Sequence, residues 1–207
     1  MSTLSEIKEH QLVAIIRGLA PHDVLAVAEA LYAGGIRILE VTMNSIEPLA
    51  AIRSVSGTLG GRMVVGAGTV LDASMAEAAV LAGARFVLSP IVALDVIKAA
   101  KDLNVVSIPG AYTATEIYTA YKNGADIVKV FPATSPAYIR DIAGPLPQIP
   151  LLPTGGITPA NVKDYKRAGA VGFGVGSALV DAKQPMTQRY LEQIAEKARQ
   201  FVGALAG

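Results

Sequence analysis

Short apolar runs recur along the whole chain and predict eight β-strands. Successive runs begin about 20 to 27 residues apart. Each run is almost continuously apolar rather than alternating, which is typical of parallel strands that are covered on both faces. The eight runs are LVAIIR (12–17), IRILEVT (36–42), MVVGAGT (63–69), RFVLSP (85–90), VVSIPG (105–110), DIVKVFP (126–132), IPLLPTGG (149–156) and VGFGVGS (171–177).

Helix signals occupy the gaps between these runs. After the first run, apolar residues recur at helical spacing until Gly34, a typical stop residue. Thr113 and Glu116 have the spacing of a capping box. Thr158 and Pro159 predict the start of a later helix, with proline at its first position. A long apolar stripe near the C-terminus predicts the final helix.

A weak internal repeat supports a barrel. Four similar segments join a predicted helix end to an apolar run: AGGIRI (33–38), AGARFV (82–87), NGADIV (123–128) and AGAVGF (168–173). Eight consecutive β/α units predict a single α/β domain over residues 1–207, a (β/α)₈ TIM barrel with a short N-terminal helix. The alternative is an open doubly wound sheet. Regular units without a break in composition favour the closed barrel.

Composition narrows the classes of function. With 18 Lys and Arg against 17 Asp and Glu, the charge balance predicts neither nucleic-acid nor anionic-membrane binding. No apolar run approaches the length of a membrane helix, and the charged start of the chain is unlike a signal peptide. We therefore expect a cytoplasmic protein. The mean hydropathy of +0.44 indicates a large core, a buried oligomer interface, or both.

The absence of cysteine and the presence of only two histidines limit the available chemistry. Thiolate nucleophiles are excluded, and a metal site or other cofactor is not expected. Three ionisable residues interrupt the apolar runs and become the candidates: Lys129, Glu40 and Arg17. Burial of Lys129 would disfavour its ammonium form and leave more nucleophilic amine. The structural alternative is a lysine that extends from a strand end to water.

Glu40 and Arg17 also have two interpretations each. A carboxylate at Glu40 could move protons in a reaction, or it could pair with an interior cation such as Lys129 or Arg17. Arg17 could bind a substrate carboxylate through its planar guanidinium, or pair with Glu40. The Thr69 hydroxyl could donate a hydrogen bond to the same anion, or Thr69 could simply end a strand. Uniformly apolar runs do not reveal which face each residue takes.

Glycine turns after the seventh and eighth runs predict a phosphate site. Gly155 and Gly156 follow one run, and Gly176 and Ser177 follow the next. Backbone amides in the last two loops of a barrel commonly bind phosphate, although a single glycine pair would only mark a tight turn. A phosphorylated small substrate, a buried amine and a carboxylate together favour Schiff-base carbon–carbon lyase chemistry.

The chain resembles the 2-keto-3-deoxy-6-phosphogluconate (KDPG) aldolases, also described as 4-hydroxy-2-oxoglutarate (KHG) aldolases. The resemblance runs nearly end to end through eight segments: VAIIRG, LEVTMNS, VGAGTV, FVLSP, IPGAYTATE, IVKVFPA, PTGGI and GFGVGSALV. It implies a homotrimer of (β/α)₈ barrels and class I aldolase chemistry without a metal. The products of the implied reaction are pyruvate and D-glyceraldehyde 3-phosphate.

The resemblance also implies roles for single residues. Lys129 would form the Schiff base, and Glu40 would act as general acid and base through water. Phe131 would pack beside the imine. The remaining implied contacts are the substrate carboxylate at Arg17 and Thr69 and the phosphate at Gly155, Gly156, Gly176 and Ser177.

Two positions bear on which C4 epimer is the substrate. Many gluconate-type members have arginine where this chain has Asn44, and the 2-keto-3-deoxy-6-phosphogalactonate aldolases have a similar Leu-Asn-Ser segment. Thr154 instead resembles the gluconate type, in which a threonine before the glycine pair lies near the C4 hydroxyl. Both residues are expected to contact substrate, and Thr154 favours gluconate.

Three other functions stay open at this point. Activity on KHG itself is one. A phosphate-binding isomerase or epimerase could use Glu40 as its base with Lys129 as an electrostatic partner, and it would form no covalent intermediate. A non-catalytic sugar-phosphate sensor could share the fold, but it would need neither of these two residues.

Overall fold

The computed structural model describes residues 1–206, in which eight parallel strands alternate with helices around a ring. The strands are β1 Leu12–Ile16, β2 Ile38–Thr42, β3 Val64–Gly68, β4 Phe86–Ser89, β5 Val106–Ala111, β6 Val128–Val130, β7 Leu151–Pro153 and β8 Phe173–Val175. The helices are α1 Thr3–His10, α2 Pro21–Ala33, α3 Pro48–Leu59, α4 Ala73–Leu81, α5 Leu94–Asp102, α6 Ala114–Lys122, α7 Pro136–Ala143, α8 Val162–Arg167 and α9 Gln188–Ala206.

The strand order decides between the two predicted architectures. Strands pair in the order β7-β6-β5-β4-β3-β2-β1-β8, so the first and last strands in sequence are neighbours. A single parallel bridge between Thr154 and Gly174 joins β7 to β8 and nearly closes the ring. The prediction of a (β/α)₈ barrel with a short N-terminal helix is confirmed, and the open doubly wound sheet is wrong.

The internal repeat is a recurring helix stop. In the second copy, Gly83 takes a left-handed backbone with φ +111°, and the Ala84 N–H donates to the Ala79 carbonyl at 3.0 Å. This is the bond that closes a Schellman motif, and glycine adopts the required φ without strain. The corresponding glycines of the other copies also have positive φ, and they are Gly35, Gly124 and Gly169.

Two helix starts test the sequence signals. The capping box is present as predicted, because the Thr113 side chain accepts from the Glu116 N–H and the Glu116 carboxylate accepts from the Thr113 N–H. The start at Thr158 and Pro159 is wrong, because α8 begins only at Val162. The Asn161 side chain accepts from the Thr158 N–H at 2.8 Å and holds the preceding residues in a turn.

Apolar side chains form two layers, one outside the ring of strands and one inside it. The outer layer packs the strands against the helices. The inner cluster contains Ile7, Val13, Ile38, Val64, Phe86, Leu88, Val106, Ile108, Ile127 and Leu152. Ile7 belongs to α1, which covers the amino-terminal end of the barrel. An ion pair of 2.6 Å between Glu6 and Arg85 fixes this helix there.

Within residues 1–206, none of the helices combines the length and the apolar composition that crossing a lipid bilayer requires.

Candidate active site

The inner cluster shows which way the candidate side chains point. Side chains alternate along a strand, so residues two apart share a face. Glu40 lies two residues after Ile38, and Lys129 lies two residues after Ile127, with both preceding residues in the inner cluster. Both ionisable side chains therefore point into the barrel, toward the carboxyl ends of the strands. This is the end at which (β/α)₈ barrels bind their substrates.

Glycines on neighbouring strands make the space for these side chains. A Cβ on Gly68 of β3 would lie 1.6 Å from Glu40 Oε1. A Cβ on Gly174 of β8 would lie 2.2 Å from Thr154 Oγ1. Any larger residue at either position would collide with the polar side chain, so the glycines are part of the site.

Glu40 is a fully buried carboxyl group. Burial raises the pKa of Glu40 above its ordinary value, while the nearby cations Lys129 and Arg17 lower it by less. Neither carboxylate oxygen has a hydrogen-bond partner among residues 1–206. An acid that holds its proton more tightly and has unused acceptors suits proton transfer close to neutral pH.

Lys129 is almost as deeply placed, with 7% of its surface exposed. It pairs in register with Gly110 of β5 and Leu152 of β7, in the middle of a continuous parallel sheet. Its Nζ lies 5.1 Å from the centroid of the Phe131 ring. The aromatic face limits access of water to the amine and offers a cation–π contact.

The candidate residues surround a cavity of about 620 Å³ at the carboxyl end of the barrel. All the predicted site residues line it except Glu40 and Asn44. The lining residues from the prediction are Arg17, Thr69, Lys129, Phe131, Thr154, Gly155, Gly156, Gly176 and Ser177. Glu40 is buried next to the cavity, close enough to Lys129 and Arg17 for both cations to change its pKa.

Arg17 and Thr69 lie together on one side of the cavity. The Arg17 Nη2 atom is 3.5 Å from Thr69 Oγ1, at the outer limit of a hydrogen bond. The turn after Arg17 is held by Ser45, whose Oγ accepts the Gly18 N–H at 2.9 Å and lies 2.9 Å from Thr42 Oγ1. A guanidinium and a hydroxyl in this arrangement can bind a carboxylate.

The sequence of this barrel matches a known family. A family model described as KDPG and KHG aldolase matches residues 4–196. The chain belongs to the KDPG and KHG aldolase family. Its members are carbon–carbon lyases, and the resemblance inferred from the sequence motifs is confirmed.

Relatives within the aldolase family differ in their substrates. The 2-dehydro-3-deoxy-6-phosphogalactonate aldolase of Escherichia coli K12 is 34% identical over 196 residues, 93% of each chain. The 2-dehydro-3-deoxy-phosphogluconate aldolase of Pseudomonas aeruginosa is 38% identical over 161 residues, 76% of this chain and 73% of that one. Because "2-dehydro" and "2-keto" name the same group, these substrates are the two C4 epimers considered above.

A solved structure of KDPG aldolase from Legionella pneumophila has the same fold, with a TM-score of 0.85 and 28% identity. The match covers 96% of this chain and 97% of that one. In that structure, pyruvate is captured at low pH as a covalent carbinolamine intermediate. The similarity therefore extends over nearly the whole of both chains.

Asn44 does not join the other predicted residues of this aldolase-family site. It is exposed in the loop between β2 and α3 and does not line the cavity. The contact between Asn44 and substrate stays a prediction without support from this arrangement. Its neighbour Ser45 has the defined role instead, because it holds the turn that carries Arg17.

Several lining residues were not singled out from the sequence. Asp181 and Lys183 belong to the loop between β8 and α9, and both line the cavity. Ile15, Pro90 and Thr158 complete other parts of its wall. The one signal in the sequence that could have indicated the two charged residues is their place in the chain, because they follow the eighth strand at the catalytic end of the predicted barrel.

Proposed function

We propose that this protein is a class I aldolase that cleaves 2-keto-3-deoxy-6-phosphogluconate to pyruvate and D-glyceraldehyde 3-phosphate. The observation that carries the proposal is the pairing of a buried amine, Lys129, with a buried acid of raised pKa, Glu40, beside one cavity. An isomerase could use the same carboxylate as a base, but it has no need of a lysine nucleophile in the interior.

The first half of the reaction forms the Schiff base. The uncharged amine of Lys129 adds to the C2 ketone and gives a carbinolamine. Glu40 supplies the proton with which the C2 hydroxyl leaves as water, either directly or through a water molecule. The product is a protonated imine at Lys129, and the pyruvate carbinolamine of the Legionella pneumophila relative supports this course.

The second half breaks the C3–C4 bond. Ionised Glu40 accepts the proton of the C4 hydroxyl, and the bond electrons pass into the protonated imine to give a neutral enamine. C4 leaves as the aldehyde carbon of glyceraldehyde 3-phosphate. Protonation of the enamine at C3 and addition of water at C2 then release pyruvate and regenerate Lys129. Glu40 thus alternates between acid and base.

The remaining residues hold the two ends of the substrate. Arg17 and Thr69 bind the C1 carboxylate next to the imine, and Phe131 packs against the reacting carbons. The phosphate lies against the glycine turns after β7 and β8. Backbone amides at such turns bind phosphate oxygens, and the absence of side chains lets the anion approach closely. These turns contain Gly155, Gly156, Gly176 and Ser177.

The gluconate epimer is proposed because of Thr154. Its hydroxyl is buried, faces the cavity and has no hydrogen-bond partner among residues 1–206. A substrate hydroxyl at C4 can supply that partner. The galactonate epimer is the second candidate, because the Escherichia coli relative that acts on it matches over 93% of this chain.

Borohydride reduction in the presence of pyruvate tests the mechanism. We expect one irreversible pyruvate adduct, which peptide mapping places on Lys129. Lys129→Ala should give no adduct and no cleavage, whereas Lys122→Ala, an exposed lysine of α6, should behave like the wild type. A folded wild-type protein that forms no adduct, or forms it at another lysine, contradicts the Schiff-base mechanism and favours an isomerase.

We also propose that the protein is a homotrimer. Exposed apolar side chains on the loops after β2, β3 and β4 support an interface between copies: Ile46 is 58% exposed, Leu71 50% and Ile91 59%. Light scattering should give three times the chain mass of 21.4 kDa. Ile91→Asp should reduce this mass, and Leu81→Asp, at the end of α4, should not. A monomeric wild type contradicts the proposal.

A further inference from the structure

Charge is unevenly distributed along the cavity wall. The loops after β7 and β8 contribute glycines, apolar side chains and hydroxyl groups, together with one acidic and one basic residue, Asp181 and Lys183. Among the cavity-lining residues of these two loops that the structure describes, Lys183 is therefore the single cation. Arg17 and Lys129 belong to other strands and are assigned to the carboxylate and the imine.

Lys183 projects from a well-anchored turn. The Asp181 Oδ1 atom accepts the Lys183 N–H at 3.0 Å, and the Asp181 carbonyl accepts the Gln184 N–H at 3.1 Å. The Tyr190 hydroxyl accepts the Asp181 N–H at 2.7 Å and lies 3.2 Å from the Asp181 carbonyl oxygen, to which it can donate. Tyr190 is itself buried on α9. The backbone of the turn is thus fixed at the cavity rim, while the Lys183 side chain stays exposed.

The glycine turns alone do not balance a phosphate group. A phosphate monoester has a charge of about −1.5 to −2 at neutral pH, and backbone amides supply only partial charges. The Asp181 carboxylate, on the same wall, adds a repulsive charge. An ammonium group on a flexible stem next to the amides can offset both effects.

We propose that Lys183 is a specificity-determining residue that binds the substrate phosphate and makes the enzyme prefer phosphorylated over unphosphorylated 2-keto acids. This inference rests on the proposed aldolase function, and it concerns the choice between KDPG-type and KHG-type substrates at the same site. Lys183 takes no part in the bond-breaking steps, so its contribution appears in binding and not in turnover.

The test compares Lys183→Ala with two matched variants. Lys183→Arg keeps the charge, and Lys8→Ala removes a lysine from α1 at the opposite end of the barrel. For the phosphorylated substrate, Lys183→Ala should raise KM about two- to fivefold, as loss of one exposed ion pair predicts, with kcat unchanged. Cleavage of unphosphorylated KHG should not change. Both matched variants should resemble the wild type.

Two further measurements separate this inference from the proposed function. The KM effect should shrink when the ionic strength is raised, because salt screens exposed charges. Calorimetric titration with glycerol 3-phosphate, which needs no turnover, should show binding to the wild type that is weaker in Lys183→Ala. Equal effects on both substrates, no effect on either, or absence of glycerol 3-phosphate binding overturns the inference. A wild type that cleaves none of these keto acids overturns the proposed function instead.

Discussion

The Glu40 carboxylate occupies the space in which a side chain at position 68 would begin. A Cβ on Gly68 would lie 1.6 Å from Oε1 and 2.3 Å from the carboxyl carbon. Gly68→Ala should therefore displace Glu40 from the cavity. Since proton transfer by a placed side chain accounts for about 10²–10⁴ in rate, kcat should fall by about two orders of magnitude. Steady-state kinetics on the aldol substrate measure this loss.

Substitution of a second glycine, Gly57, provides a control that separates displacement of Glu40 from a general loss of stability. Gly57 lies on the exposed face of α3, and a Cβ added there would have nothing within 4 Å. Gly57→Ala should keep full activity and stabilise the helix by about 0.5–1 kcal/mol. Gly68→Ala should still unfold cooperatively, with a loss of about 1–3 kcal/mol from overpacking. Full activity in Gly68→Ala contradicts the assigned role of Glu40.

Stability should depend on pH through Glu40. Burial raises the pKa of Glu40 in the folded state above the ordinary value of 4.5 that applies when the chain is unfolded. Below that ordinary value the group is protonated in both states and no buried charge forms. As the pH rises, the unfolded chain releases this proton first, so the free energy of unfolding falls until the folded-state pKa is passed.

Glu40→Gln removes this dependence. The variant should match the wild type most closely in acid and become relatively more stable as the pH approaches neutrality, while its kcat falls by about 10²–10⁴. Urea denaturation of both proteins between about pH 4 and about pH 8 measures the difference. Parallel stability curves for the two proteins contradict the raised pKa.

Thr154→Val should affect stability and substrate choice in opposite ways. Valine has nearly the shape of threonine but lacks the buried hydroxyl that has no partner, so the substitution should stabilise the fold by about 1 kcal/mol. Activity on the gluconate epimer should fall relative to the galactonate epimer, because the proposed partner of the C4 hydroxyl is lost. The ratio of kcat/KM for the two epimers tests this. Thr158→Val, on the same cavity wall, should leave the ratio unchanged.

Ser45→Ala should weaken binding of the keto acid more than it slows the reaction. Without its Oγ, the Gly18 N–H and the Thr42 hydroxyl lose their partner, and the turn that carries Arg17 is no longer fixed. We expect KM to rise several-fold with little change in kcat, and Ser45→Thr, which retains a hydroxyl, to restore KM. A loss of kcat without a change in KM contradicts this positioning role.

The barrel could be predicted from the sequence because the signals for it are local and repeated. Apolar runs, helix stops such as Gly83 and the capping box at Thr113 each depend on a few neighbouring residues, and all of them agree with one architecture. The helix start at Pro159 failed because residues 158–161 form a separate turn before α8, in which the Thr158 carbonyl accepts the N–H groups of Asn161 and Val162. Proline at a suitable position does not reveal such a contact.

The site could be predicted only in part from the sequence, for a different reason. Lys129 and Glu40 stand out because charge is rare in buried strands, but their direction depends on which apolar neighbours face inward, and uniform runs hide that. The two layers of the core, with Ile38 and Ile127 inside, resolve it. Lys183 carries no comparable signal, because an exposed lysine in a loop is ordinary until the fold brings that loop to the cavity.

Helix α1 has a consequence for the order of events during turnover. With Ile7 filling the amino-terminal end, the barrel opens to solvent at the carboxyl end of its strands. Substrate, water and both products therefore share this one opening. On the proposed mechanism, the imine tethers the three-carbon keto acid at Lys129 while the aldehyde lies nearer the mouth. The aldehyde therefore leaves first, and the proton and water that complete the cycle reach the enamine through the path it has cleared. On the proposed mechanism the imine sets the order of release, and α1, by closing the far end of the barrel, makes the second product leave by the route that the first has vacated.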